Sequence, residues 1–225
     1  MGDWIQLTAD DGHTLAAYEA RPDEGARGGL VMIQEIFGLT EQMQRCADRY
    51  AGAGYHVVLP ALFDRVEPGL VLGYTEFERG GKTAMSIPPP QMLIDVGAAR
   101  DVVKSAGRVG IIGYCWGGTV AYMAASGQLV DCAVSYYGGG IGRLLERMQP
   151  KVPVQYHFGA DDGFIPPEVI DQIRSADPIG EFYVYEGAGH GFNCDDRDGF
   201  DEAASQLSEK RSLAFLSRYL RAEPL

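Results

Sequence analysis

Hydrophobic residues fall along this chain in short continuous runs, separated by stretches of helical period. The runs at 30–33, 55–59, 109–113, 132–136, 154–158 and 181–185 are bounded by Gly, Pro and charged residues. Runs this short read as strands. Helical segments are expected at 40–53, 91–106, 117–126, 166–175 and 201–220, with a shorter one near 141–148. Gly54 ends the first helix and Pro60 stops the strand that follows it. Strands that alternate with helices imply an α/β chain with a mostly parallel central sheet, flanked by helices on both faces. Residues 4–7 and 15–19 differ, because Asp10-Asp11-Gly12 between them supplies turn chemistry for an N-terminal antiparallel hairpin. Residues 21–29 form a loop of Pro, Gly and charged residues.

One stretch breaks the rhythm. Residues 61–90 mix Gly, Pro, aromatic and charged residues and end in Pro88-Pro89-Pro90. They read as a long surface excursion with at most one short helix, and long loops of this kind often act as lids. A chain of 225 residues suits a single domain, 1–225, with this excursion on it. The net charge of −12 disfavours nucleic acid and anionic lipid as partners. It also means that an acidic substrate would have to be held by local cations. No apolar stretch is long enough to span a membrane, and the start lacks a basic region followed by an apolar core. A cytoplasmic location is the expectation. Cys46, Cys115, Cys132 and Cys194 show no C-x-x-C spacing, so neither a zinc site nor a dithiol motif is indicated.

In such sheets ligands bind beyond the carboxyl ends of the strands, and the chemically suggestive residues cluster there. Gly113-Tyr114-Cys115-Trp116-Gly117 follows one strand and opens a helix. That is the nucleophile-elbow pattern with Cys in place of Ser. A helix N-terminus favours the thiolate of Cys115. His190, in a glycine-rich loop after the last strand, is the candidate base. Asp161 and Asp162 both follow the preceding strand, and Asp162 is chosen as the acid that orients the imidazole. Backbone N–H groups of Trp116 and Ile36 are the candidate oxyanion donors. Glu35, directly after the strand at 30–33, would lie beside the thiol.

Taken together, these residues resemble the dienelactone hydrolase family of the α/β-hydrolase fold. The resemblance covers nearly the whole chain. It rests on Gln34-Glu35-Ile36-Phe37-Gly38, Gly113-Tyr114-Cys115-Trp116-Gly117-Gly118, Tyr136-Tyr137-Gly138, Asp162 with Pro166, and Ala188-Gly189-His190-Gly191-Phe192. It implies a Cys115–His190–Asp162 triad and a Glu35 that takes the thiol proton when substrate binds. It further implies attack on a lactone or ester, a thioester intermediate, and no metal or organic cofactor. The family's type substrate is a carboxylated butenolide opened to maleylacetate, with two arginines holding its carboxylate. Arg79 stands where a lid arginine is expected. The position four after His190 is Cys194, so the second arginine would be Arg197, seven on. Tyr137 is a further candidate to line the site.

Three other readings stay open on sequence alone. One is a general carboxylesterase or thioesterase of the same fold, and another a non-catalytic binding protein. The third is a redox-sensing thiol protein. The oligomeric expectation is a monomer or small homo-oligomer with a small-molecule substrate.

Overall fold

The structure, a computed structural model, describes residues 2–220. Its centre is an eight-stranded sheet in the order β1-β2-β4-β3-β5-β6-β7-β8. The hairpin β1 (Asp3–Thr8) and β2 (Thr14–Ala20) is antiparallel and joins the sheet through an antiparallel edge with β4 (His56–Pro60). The rest is parallel: β3 (Gly29–Ile33), β5 (Val109–Tyr114), β6 (Cys132–Tyr136), β7 (Val154–Gly159) and β8 (Glu181–Tyr185). Strands β3 to β7 are buried along their whole length. That explains why β3 to β6 read as near-continuous apolar runs, whereas β7 also buries Gln155 and His157.

Helices cover the sheet on both faces. α1 (Glu41–Gly52) and α6 (Glu202–Leu220) are tied together by the Arg49–Glu209 pair at 3.5 Å. α3 (Pro89–Val103) and α4 (Trp116–Ser126) touch each other over β3 to β6. α5 (Pro167–Ala176) lies toward β8, where its Arg174 guanidinium stands 5.3 Å from the Phe182 ring centroid. The Thr40 hydroxyl caps α1 by accepting from the Met43 N–H at 3.3 Å.

The excursion at 61–90 is more ordered than its composition suggests. Leu62–Arg65 forms a 3₁₀ turn, Phe77–Ser86 forms α2, and the chain enters α3 at Pro89. Prolines 89 and 90 fit the first turn of α3, where no N–H donor is needed. Leu62, Phe63, Leu70, Leu72, Ala84 and Ile87 are buried and anchor the segment. Near 141–148 the expected helix is only a 3₁₀ turn, Ile141–Arg143, followed by turns.

Candidate active site

The parallel register brings the key loops to one edge. Ile33 lies opposite Gly113, Tyr114 opposite Tyr136, Tyr136 opposite His157, and Gly159 opposite Tyr185. The segments that carry Glu35, Cys115, Tyr137, Asp162 and His190 therefore all leave the sheet on the same side.

Cys115 is the N-cap of α4 with φ 55° and ψ −117°. Such a backbone costs a non-glycine residue about 1–3 kcal/mol. Two hydrogen bonds hold it: the Cys115 N–H donates to the Tyr136 carbonyl, and the Gly118 N–H to the Cys115 carbonyl, both at 3.0 Å. The turn is tight enough that a Cβ at Gly113 would overlap the Gly117 carbonyl. A Cβ at Gly117 would in turn press on the carbonyls of Ile33 and Gln34. The loop after β3 thus lies directly on the elbow, beside the Trp116 N–H at the first position of α4, where a helix supplies no acceptor.

The imidazole of His190 joins two partners. Its Nε2 is 3.1 Å from Cys115 Sγ and its Nδ1 is 2.8 Å from Asp162 Oδ2. Asp162 is buried, while Asp161 is exposed. The other Asp162 oxygen accepts the Phe164 N–H at 2.8 Å. Burial works against charge on His190, but the bonds to Asp162 and Cys115 outweigh it and raise its pKa to about 10.

Glu35 is buried, and desolvation raises its pKa against the pull of Arg197, His190 and Tyr137. Its Oε2 is 3.6 Å from Arg197 Nη1, and its buried Oε1 has no hydrogen-bond partner among the described residues. The Arg197 guanidinium sits over the rings of Phe37 and Phe77, 5.6 and 5.5 Å from their centroids. Tyr137 is buried with φ 38°, its ring centroid 5.0 Å from that of His190. Ile36 is half-buried beneath α2, whose Gly80 lies against the Ile36 carbonyl.

Arg79 goes elsewhere. Its guanidinium pairs with Glu67 at 3.0 Å and with Glu76 at 3.6 Å, on the surface, and does not join the Glu35–Arg197 pair. The physical reason is that two carboxylates on its own segment reach it first. Cys194, four residues after His190, is buried, and its thiol is pushed up to about 11 by desolvation and then by Glu35. Sequence reading had not singled out Phe77 or Phe164. Phe77 opens α2 and contacts Arg197. Phe164 is two residues after Asp162, and its ring lies 5.2 Å edge-on from that of His190. An exposed aromatic so near a candidate acid was the one available signal for it. Among the described residues, no group of three or more His, Cys, Asp or Glu is placed to hold a metal ion. No helix among them is long and apolar enough to cross a membrane.

Residues 15–220 match the model of the dienelactone hydrolase family. A carboxymethylenebutenolidase of Pseudomonas putida is 32% identical over 231 residues, with 98% of each chain covered. Carboxymethylenebutenolidase 1 of Cupriavidus pinatubonensis is 28% identical, covering 96% of this chain and 97% of its own. Among solved structures, a provisionally named dienelactone hydrolase from Klebsiella pneumoniae superposes with a TM-score of 0.85 at 26% identity, covering 97% of this chain and 99% of its own. An esterase of Pyrococcus furiosus, at 16% identity and a TM-score of 0.67, shares the fold. The family match begins in the hairpin and ends with α6, so it takes in every strand-end loop described above, and this chain belongs to the dienelactone hydrolase family.

Proposed function

We propose that the chain hydrolyses a lactone or a small ester through a thiolate on Cys115, by way of a thioester. The observation that carries this reading is the unbroken line from Cys115 Sγ through His190 to Asp162, at 3.1 and 2.8 Å, starting from a strained elbow. Strain of this kind persists where the surrounding structure enforces it, and it holds a nucleophile clear of its own helix.

In this reading Glu35 takes the thiol proton. A carboxylate buried deeply enough to raise its pKa accepts a proton readily once its contact with Arg197 loosens. The thiolate attacks the carbonyl carbon, and the N–H groups of Ile36 and Trp116 receive the oxyanion. The carbon–oxygen bond then breaks, and His190, protonated up to about pH 10, gives its proton to the departing oxygen. Neutral His190 next draws a proton from water. The resulting hydroxide displaces Cys115 as thiolate and frees the acid; His190 is left as the imidazolium, and the thiolate recovers its proton from Glu35. Asp162 holds the imidazole in one tautomer throughout. Nothing in this cycle calls for a metal or organic cofactor, nor for a nucleic-acid or membrane partner.

The test is Cys115→Ala against a panel of neutral lactones and aryl esters. Turnover should vanish, and brief exposure of the wild type to substrate should leave an acyl mass on Cys115. Retained turnover in the variant would overturn the mechanism. Cys115→Ser should keep little activity, because Glu35 is matched to a thiol and not to a hydroxyl. The general-esterase reading gains from the placement of Arg79, whose pairing with Glu67 and Glu76 takes away one of the two cations a carboxylated lactone would need.

A further inference from the structure

We infer that this site takes uncharged esters or lactones with an apolar or aromatic leaving group, and that Phe164 is the surface that receives that group. The inference rests on the hydrolytic reading above.

The position of the leaving group follows from the chemistry. The departing oxygen must come to the atom that protonates it, His190 Nε2. The carbon skeleton on that oxygen must therefore lie on the His190 side of the site. Two aromatic rings flank that imidazole. Tyr137 is buried, 5.0 Å away and inclined at 61°. Phe164 is 5.2 Å away at 73° and is 75% exposed. Packing does not explain Phe164, because most of its ring faces solvent. Nor is it a loose end of chain. Its N–H donates to Asp162 Oδ1 at 2.8 Å, and the next N–H, of Ile165, donates to the Asp162 carbonyl at 3.2 Å. The Ile165 side chain is buried. The ring is held out at the mouth of the site by the same aspartate that orients the imidazole. An apolar leaving group laid on it would bury that face and gain an aromatic contact.

The charges point the same way. The two arginines that could meet a substrate carboxylate are both engaged. Arg79 is bound to Glu67 and Glu76. Arg197 faces Glu35, lies over the rings of Phe37 and Phe77, and keeps only 13% of its side chain exposed. An anionic substrate would also enter beside Glu35 and Asp162 on a chain of net charge −12.

The experiment uses four esters with one acyl group: ethyl acetate, benzyl acetate, 4-(acetoxymethyl)benzoate and the N,N-dimethylamide of that benzoate. All pass through the same acetyl-Cys115, so kcat/KM differences report the leaving group. Benzyl acetate and the neutral dimethylamide should exceed the carboxylate at least about tenfold, which is about 1.4 kcal/mol. In Phe164→Ala the benzyl-to-ethyl ratio of kcat/KM should fall about tenfold, and Phe164→Tyr should restore most of it. Preference for the carboxylate overturns the charge argument. A Phe164→Ala loss equal on benzyl and ethyl acetate overturns the assignment of Phe164. If none of the four esters, nor a neutral lactone, is turned over in a Cys115-dependent way, it is the hydrolytic reading that fails.

Discussion

At the scale of single residues the proposed mechanism turns on His190, because its state of charge would set which half of the reaction it can serve. Its pKa of about 10 is upheld chiefly by Asp162 and by Cys115, against burial. The free-enzyme kcat/KM should therefore hold up at alkaline pH and decline only as pH nears 10, where the imidazolium loses the proton meant for the leaving oxygen. Asp162→Asn removes the carboxylate and frees the tautomer. It should lower kcat/KM by about 10³–10⁴-fold and move the alkaline limb down toward the ordinary histidine range. A pH–rate profile of both proteins checks this, and an unmoved limb would show that Asp162 does not set the charge on His190. The convergence of Cys115, Asp162 and His190 was legible in the sequence because each follows a strand at one edge of a parallel sheet. The pairing of Arg79 was not legible, because sequence order does not show that Glu67, twelve residues earlier, takes its guanidinium. The role of Arg197 was half legible. The cation could be read, but not that Phe37 and Phe77 would hold it facing Glu35.

Among the elements, α2 bears most directly on the site, and it is the one the sequence disguised. Its residues Phe-Glu-Arg-Gly-Gly-Lys-Thr-Ala-Met-Ser contain two adjacent glycines, which weaken any helical signal. The two glycines are not equivalent. A Cβ at Gly80 would overlap the Ile36 carbonyl, whereas one at Gly81 meets nothing within 4 Å. Gly80 is what lets the helix lie on the loop that carries Glu35 and Ile36. Gly80→Ala should force α2 outward, with a stability loss of about 1–3 kcal/mol and a fall in kcat as the oxyanion loop loses its cover. Gly81→Ala should instead raise stability by about 0.5–1 kcal/mol, since alanine is the better helix former. Urea unfolding of the pair, with kcat measured alongside, separates the contacts of α2 from its propensity. Equal effects of the two substitutions would mean that α2 does not press on Ile36. The regular strands and the longer helices were legible because burial on both faces writes an unbroken apolar run and amphipathic packing writes a period. α2 was not, because its fit depends on the lack of a side chain.

Across the whole molecule, order along the chain could not reveal how the sheet is stitched together toward its β8 edge. His157 on β7 is fully buried, and its Nδ1 lies 2.8 Å from the Tyr185 hydroxyl on β8. Its Nε2 lies 2.8 Å from Gln155 Oε1 and 3.1 Å from the Ser212 hydroxyl of α6. Ser212 in turn bonds the Tyr136 hydroxyl of β6 at 2.8 Å, and the Tyr136 ring stacks on His157 at 4.4 Å. One imidazole thus links three strands and the last helix, behind the strand end that carries Asp162. Burial, and then the nearby Arg211, hold its pKa well below the usual histidine value, so it is neutral in the fold. In the unfolded chain it titrates near 6.5. The sign follows: its contribution to stability is complete above about pH 6.5 and is lost as pH falls through the window down to its depressed folded pKa. The loss should approach roughly 1.4 kcal/mol per pH unit from this group alone. His157→Gln should cost about 1–3 kcal/mol at pH 7.5 by leaving buried partners unsatisfied. The same variant should lose less between pH 7.5 and 5.5 than the wild type does, because the proton-linked group is gone. Thermal unfolding of both at the two pH values decides the matter. Parallel losses would mean that the acid sensitivity of this sheet lies in its carboxylates and not in His157.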